Sequence, residues 1–402
     1  MQSTRLVLAR VAAAPRVRLA AIGLITMAVA SCSSSSATPA NPLAGTCLSG
    51  AAAPLTIVVG ERSNVPSVQF PDAVESLITT AATDRQPITL IRIDGKPKVF
   101  HLKKFSTSDQ NSGAISDDIS NYVTGVNELL DGPKMHAATP QTDVLTALSL
   151  AAAATPTGGN IIVIDSGLQT VAPLEYQVPG TLMSPPRDVV EFLHAQNMIP
   201  PLSGRHVLLS GLGYTAAPQP SLDQSERENV AAQWKAIVVA GGGCATVDPS
   251  PNTGAELPSL PAVTTVPQPA QPTFSNCGTT VLSDAGSVGF KDGLPSFRDP
   301  VAARSTLNRL AATLMQGTEQ ITLIGSTSTE GGDAFNNTLS WKRATAVKAV
   351  LVSLGIPGGR IKVVGDGAHY PGRVPDIGPD GQLLLAQAEQ DREVIVQLPQ
   401  CP

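Results

Sequence analysis

Ile321-Thr322-Leu323-Ile324-Gly325-Ser326-Thr327-Ser328-Thr329-Glu330-Gly331 is the stretch on which the fold turns. Its first four residues read as a β-strand, and the glycines and hydroxyls that follow read as a tight loop. Asp333 can then cap a helix in which Phe335, Leu339, Ala346, Val347, Val350, Leu351 and Leu354 recur at three- and four-residue intervals. Gly355 is placed to end it. Before it, a helix over about 299–316 carries Leu307, Leu310, Ala311 and Leu314 on one face. Ile361-Lys362-Val363-Val364 and Val394-Ile395-Val396 supply further strands. Strand, helix, strand and helix in that order predict an α+β domain.

With those elements in place, residues 277–402 resemble the OmpA-like C-terminal domain, a peptidoglycan-binding βαβαββ module of cell-envelope proteins. The resemblance runs through Ile324–Gly331, Asn336, Leu339-Ser340, Arg343-Ala344, Val347, Leu354-Gly355-Ile356, Arg360-Ile361, Gly365-Asp366-Gly367, Pro371 and Asp391-Arg392-Glu393-Val394. It implies a ligand set of Thr327, Ser328, Asn336, Leu339, Arg343 and Arg392 for the diaminopimelate end of the stem peptide. A zwitterion needs a carboxylate for its ammonium and a guanidinium for its carboxylate. Arg343 matches the family's helix arginine, and Arg392 the first arginine of its NRR run. Two positions depart from the pattern: Ser328 stands where the family has Asp, and Glu393 where it has the second Arg. A hydroxyl can bond an ammonium without neutralising it, so Glu330 and Asp333 are the candidates to supply the lost charge.

Upstream, residues 245–276 hold seven prolines (Pro249, Pro251, Pro258, Pro261, Pro267, Pro269, Pro272). They are expected to form an extended polyproline II linker able to hold its neighbours up to roughly 90 Å apart. Residues 47–244 form a middle domain in which strands at Leu55–Val59, Ile88–Ile93, Asn160–Ile164 and His206–Ser210 alternate with helical stretches near 71–82, 115–130 and 142–154. That alternation predicts an α/β domain with a parallel-type sheet and helices on both faces. Its strand ends offer Glu61-Arg62-Ser63-Asn64, Thr139–Asp143 and Asp165-Ser166-Gly167. The layout resembles a degenerate von Willebrand factor A domain, a family that holds Mg²⁺ on these loops. The first loop has Gly60 where the family's leading Asp belongs, and no DxSxS follows it. Hard cations need several oxygen ligands, so no metal and no cofactor is expected. Asp165 is expected as a turn former or cap.

At the N-terminus, residues 1–31 read as a secretory signal, basic at first and then apolar from Leu19 to Ala30. Val29-Ala30-Ser31-Cys32 resembles a lipobox, which implies lipid attachment at Cys32. Residues 32–46 form a flexible tether. That leaves Cys47, Cys244, Cys277 and Cys401 outside the cytoplasm, with three possible pairings. Pairing within each domain predicts Cys47–Cys244 and Cys277–Cys401.

The chain has 402 residues, 42% hydrophobic, 15% charged and 3% aromatic, with 35 Gly and 34 Pro and a net charge of −5. Four arginines in the first 31 positions have no acidic partner there; without them 23 basic residues stand against 32 acidic, a net −9. So acidic a surface with so few rings argues against nucleic-acid binding. There is no GxSxG, HExxH or P-loop, and the five histidines are scattered. Gly241-Gly242-Gly243 follows a helix and lacks a phosphate-cradle setting, and Trp234 and Trp341 read as packing residues. The expectation is a non-enzymatic, exported, lipid-anchored envelope protein facing the periplasm or cell wall. Its C-terminal domain would associate with peptidoglycan and its middle domain with an unidentified protein. The alternative is an envelope interaction scaffold whose peptidoglycan and metal sites are degenerate.

Overall fold

The computed structural model describes Leu43 and residues 45–401. The signal segment 1–31, Cys32 and most of the tether lie outside the described residues. Among the described residues no helix is long and apolar enough to cross a membrane.

The middle domain is built on a six-stranded sheet in the order β3-β2-β1-β4-β5-β6. The strands are β1 (Leu55–Val59), β2 (Ile88–Arg92), β3 (Lys98–His101), β4 (Asn160–Ile164), β5 (His206–Ser210) and β6 (Cys244–Val247). All neighbouring pairs are parallel except β2 with β3, where the chain turns back as an antiparallel edge. The central strands are buried along their whole length because both of their faces are covered, and apart from Thr56 and Asn160 they are apolar. On one face, α1 (Asp72–Thr83) and α2 (Ser112–Leu130) pack on Ile57, Val59, Ile162 and Ile164. On the other, α3 (Val144–Ala154), α4 (Pro186–Ala195) and α5 (Gln224–Ala240) pack on Val58, Ile161 and Val163. Trp234 of α5 is buried there and donates its indole N–H to the Gly167 carbonyl at 2.8 Å. Trp341, by contrast, is half exposed.

The C-terminal sheet runs β7-β10-β8-β9, from β7 (Thr279–Ser283), β8 (Ile321–Ser326), β9 (Ile361–Gly367) and β10 (Glu393–Gln397). β10 lies antiparallel between β7 and β8, and β8 and β9 are parallel. Two helices, α6 (Pro300–Leu314) and α7 (Asp333–Ser353), bring Leu307, Leu310, Leu314, Ala344, Val347 and Leu351 onto it. A short α8 (Leu385–Asp391) precedes β10, an insertion within the expected βαβαββ order. Gly355, at φ +102°, stands just past the end of α7 as expected.

Two local expectations are corrected. Gly332, not Asp333, is the residue before α7; Asp333 is the first helical residue and meets His369 Nε2 at 3.1 Å. Phe335 is half exposed rather than part of the core, because the buried face of α7 runs through Asn336, Ser340, Arg343, Ala344, Val347 and Leu351 and Phe335 lies to its side.

The linker is also corrected. Its first residues continue β6 through Val247, so the middle domain does not end at 244. The rest is a strap folded over the carboxyl edge of the first sheet, not an extended spacer. Ser67 N donates to Ala255 O at 2.7 Å and Ser63 N to Pro261 O at 3.4 Å. Gln219 grips the Val266 backbone from both sides, accepting its N–H at 2.7 Å and donating to its carbonyl at 3.0 Å. Val263 and Val266 are buried. Proline composition argues against a self-contained core, but scattered valines suffice to dock a strap onto an existing one. Both disulfides form as expected, Cys47–Cys244 with Cα atoms 5.8 Å apart and Cys277–Cys401 with Cα atoms 4.9 Å apart.

The two sheets belong to one compact unit. Leu385 of α8 joins the core beneath α4 and α5, so the short helix is the wedge that docks the C-terminal domain on the middle one.

Candidate functional site

The loop after β8 is pinned from two sides. Thr327 N donates to Gly367 O at 2.9 Å. Thr329 N donates to Asp376 Oδ2 at 2.6 Å, and the Thr329 hydroxyl bonds the other oxygen of that carboxylate. Arg373 ties the cluster together, meeting Asp376 at 2.6 Å and Asp391 at 2.9 Å. Burial works to raise the Asp376 pKa, but the bonds from Thr329 and Arg373 outweigh it and hold the carboxyl below its ordinary value.

This loop forms one lip of a pocket lined by Thr327, Ser328, Glu330, Asn336, Leu339, Arg343 and Arg392. All six residues of the expected ligand set are therefore brought together. Asn336 Nδ2 donates to the Ser328 carbonyl at 3.3 Å and braces the lip. Arg343 is buried over the Phe290 ring, 5.1 Å from its centroid, and donates to the carbonyls of Leu294 (3.2 Å) and Lys291 (3.4 Å). Burial lowers its pKa. Its guanidinium thus anchors the loop at 291–294 as well as lining the pocket.

Arg392, between α8 and β10, is the electrostatic centre. It donates to Ser328 Oγ at 3.0 Å, Glu330 Oε2 at 2.9 Å, Glu389 Oε2 at 3.2 Å and, in a very short contact, Asp188 Oδ2. Burial opposes its charge, but Asp188, Glu389 and Glu330 prevail and raise its pKa. Burial, then Asp188, pushes Glu330 up to about 8. Burial, then Asp284, pushes Glu389 up to about 8. Glu393, at the family's second arginine position, is raised to about 7 by burial and Asp391. Of the two candidates for the missing charge, Glu330 reaches the pocket and Asp333 does not.

Asp188 and its neighbour Arg187 went unrecognised in the sequence. They sit in the first turn of α4, behind Pro186 at its first position. An acidic residue there reads as complementing the helix dipole, and nothing local directs it toward residue 392. Arg187 extends over the pocket mouth, 3.5 Å from Glu330 and 4.0 Å from Asp292.

At the carboxyl edge of the first sheet, between β1 and β4, Arg62 fills the crevice. Its guanidinium meets Asp165 at 2.6 and 3.1 Å and Ser166 Oγ at 3.1 Å, and both charged side chains are fully buried. Asp165 does form the expected turn, accepting from Gly167 N at 2.6 Å, but it is also half of this ion pair. A Cβ on Gly60 would stand 1.8 Å from Asp165 Oδ2. The residues present therefore do not fit a divalent cation, since a guanidinium takes the carboxylate and the first loop has no room for another. Asp143 caps α3 through Thr146 N at 3.0 Å. Among the described residues no group of three or more His, Cys, Asp or Glu is placed to hold a metal ion.

A profile described as the OmpA family matches residues 290–375. The peptidoglycan-associated lipoprotein of Rhizobium meliloti is 30% identical over 141 residues, 35% of this chain and 74% of that protein. A photosystem I P700 chlorophyll a apoprotein A2 from Gloeobacter violaceus is 36% identical over 93 residues, but these span 23% of this chain and only 11% of that protein. Among solved structures, the Burkholderia pseudomallei peptidoglycan-associated lipoprotein is 21% identical, with a TM-score of 0.23 over 29% of this chain and 88% of that one. The periplasmic domain of Helicobacter pylori MotB is 14% identical, with a TM-score of 0.25 over 34% of this chain and 78% of that one.

Proposed function

Because the chain belongs to the OmpA family through its C-terminal domain, we propose that it is a non-enzymatic envelope protein that associates with peptidoglycan. The observation that carries this is the convergence of Thr327, Ser328, Asn336, Leu339, Arg343 and Arg392 on one pocket. Two guanidinium groups suit a carboxylate. Glu330, with its pKa raised to about 8, offers a ligand ammonium a hydrogen-bond acceptor in the place of the Asp that Ser328 replaces, with its full charge only once it gives up its proton. The N-terminal pattern ending at Cys32 supports export and lipid anchoring, with the chain facing the periplasm or wall. We read the middle domain as von Willebrand factor A-like in layout, with the Arg62–Asp165 pair standing where that family holds its cation, and as a platform for protein contacts.

Co-sedimentation of the full chain with purified sacculi tests the reading. Retention that soluble diaminopimelate-containing stem peptide displaces supports it. Absence of displaceable retention, both in the parent and in a variant whose pocket is shown to be open, overturns it.

A further inference from the structure

Asp188 belongs to the middle domain, yet it is fully buried against the pocket of the C-terminal one. Both its oxygens are engaged: Oδ2 by Arg392, and Oδ1 by Arg187 Nε at 3.3 Å and Nη2 at 3.2 Å. With α4 in place, the space left in the pocket is about 50 Å³. That is room for a few water molecules, at roughly 10–15 Å³ each, and not for the end of a peptide. Within it, the buried Thr327 hydroxyl has no hydrogen-bond partner among the described residues. A polar lining with an unspent hydroxyl and a cation already holding a carboxylate has the chemistry of a ligand site occupied by the protein itself.

We infer that Asp188 is a built-in substitute for the ligand carboxylate at Arg392, and that the middle domain holds the pocket shut until α4 parts from it. This rests on the reading of the pocket as a peptidoglycan site. A carboxylate lent by α4 to complete the site would keep an oxygen facing the opening, and Asp188 keeps none. Exchange is feasible because an incoming carboxylate replaces Asp188 on the same guanidinium, so Arg392 is not left unpaired in the bound state. Ligand binding and domain separation are then linked, and the apparent affinity of the parent is reduced by the fraction of molecules that are open.

The test uses the full chain as parent, Asp188→Ala, Asp188→Asn and Asp188→Ala with Arg392→Ala, each checked for a cooperative melt. Two quantities are read: sacculus retention, and amide hydrogen exchange across 327–330. Opening predicts at least about tenfold faster exchange there in Asp188→Ala, and half-retention at an about tenfold lower sacculus concentration. Asp188→Asn, which keeps the volume, should move both in the same direction, and adding Arg392→Ala should abolish the gain in retention. Unchanged exchange overturns the closure whatever the sacculi show. Weaker retention in Asp188→Ala also overturns it, because the carboxylate would then be part of the binding site. Faster exchange without retention in any variant leaves the closure standing and overturns the peptidoglycan reading instead.

Discussion

Arg392 and Asp188 lie 204 residues apart in the chain and in different domains, yet the guanidinium of one is bonded to the buried carboxylate of the other. The pair couples the docking of the domains to the occupancy of the pocket, because the same nitrogen also meets Ser328 and Glu330.

Removing the cation alone should be costly. Arg392→Leu leaves Asp188, Glu330 and Glu389 facing one another without their common partner, and breaking a buried pair from one side costs about 3–5 kcal/mol. Urea unfolding of the full chain should show a loss of that order. A loss below about 1 kcal/mol would mean that the contact carries little of the docking.

Stability should fall as pH rises from mildly acidic to mildly alkaline. Glu330 and Glu389, raised to about 8, and Glu393, raised to about 7, keep their protons in the folded state where the unfolded chain has released them. Their contribution is fully present below the ordinary value of 4.5 and is lost as pH climbs through 7 to 8. Glu61 and Glu226, also raised by burial, act in the same sense. Asp376 acts the other way, since its lowered pKa gives stability that disappears as pH falls below its ordinary 3.8. Melting temperatures at constant ionic strength should therefore peak at about pH 5. Glu330→Gln should flatten the alkaline limb, and a curve rising toward pH 8 would contradict this assignment.

Restoring the family's acidic residue should destabilise this protein. Ser328→Asp places a further carboxylate beside Arg392, where Asp188 and Glu330 already sit. We expect a loss of about 1–3 kcal/mol, relieved when Asp188→Ser is added. A double-mutant cycle measures this, and strict additivity would show that the two positions do not share one site.

The crevice of the first sheet offers an independent check. Gly60→Ala drives a methyl into Asp165 and to 2.6 Å from Arg62 Nη1, so the buried pair must part or the loop must move. A cost of at least about 3 kcal/mol is expected by denaturant titration, together with loss of cooperativity in the middle domain. A neutral outcome would mean that the loop carrying Gly60 yields freely.

Much of the fold was legible because its signals are local. The run from Ile321 to Gly331 announces a strand and a loop, and Leu339, Val347 and Leu351 mark the buried face of α7 through their spacing. The same spacing misplaced Phe335, since counting apolar residues alone shifts the predicted face, whereas the buried face also takes in the polar Asn336, Ser340 and Arg343. Proline counting misjudged 249–266, because composition shows that a segment lacks its own core and is silent on whether it borrows another's. The pocket was legible from one side only: Ser328, Arg343 and Arg392 belong to a family pattern, whereas Arg187 and Asp188 look like an ordinary first turn.

The amino-acid order alone determined the C-terminal module, the parallel sheet before it and the two disulfide pairings. The elements follow from short-range periodicity, the module from the family resemblance its residues carry, and the pairings from the even cysteine count within each domain. Tertiary structure alone decided that Arg62 fills the crevice, that the proline-rich strap covers it and that Asp188 meets Arg392. Those outcomes depend on how surfaces far apart in the chain come to face each other, and a buried charge takes whichever partner the packing places within reach.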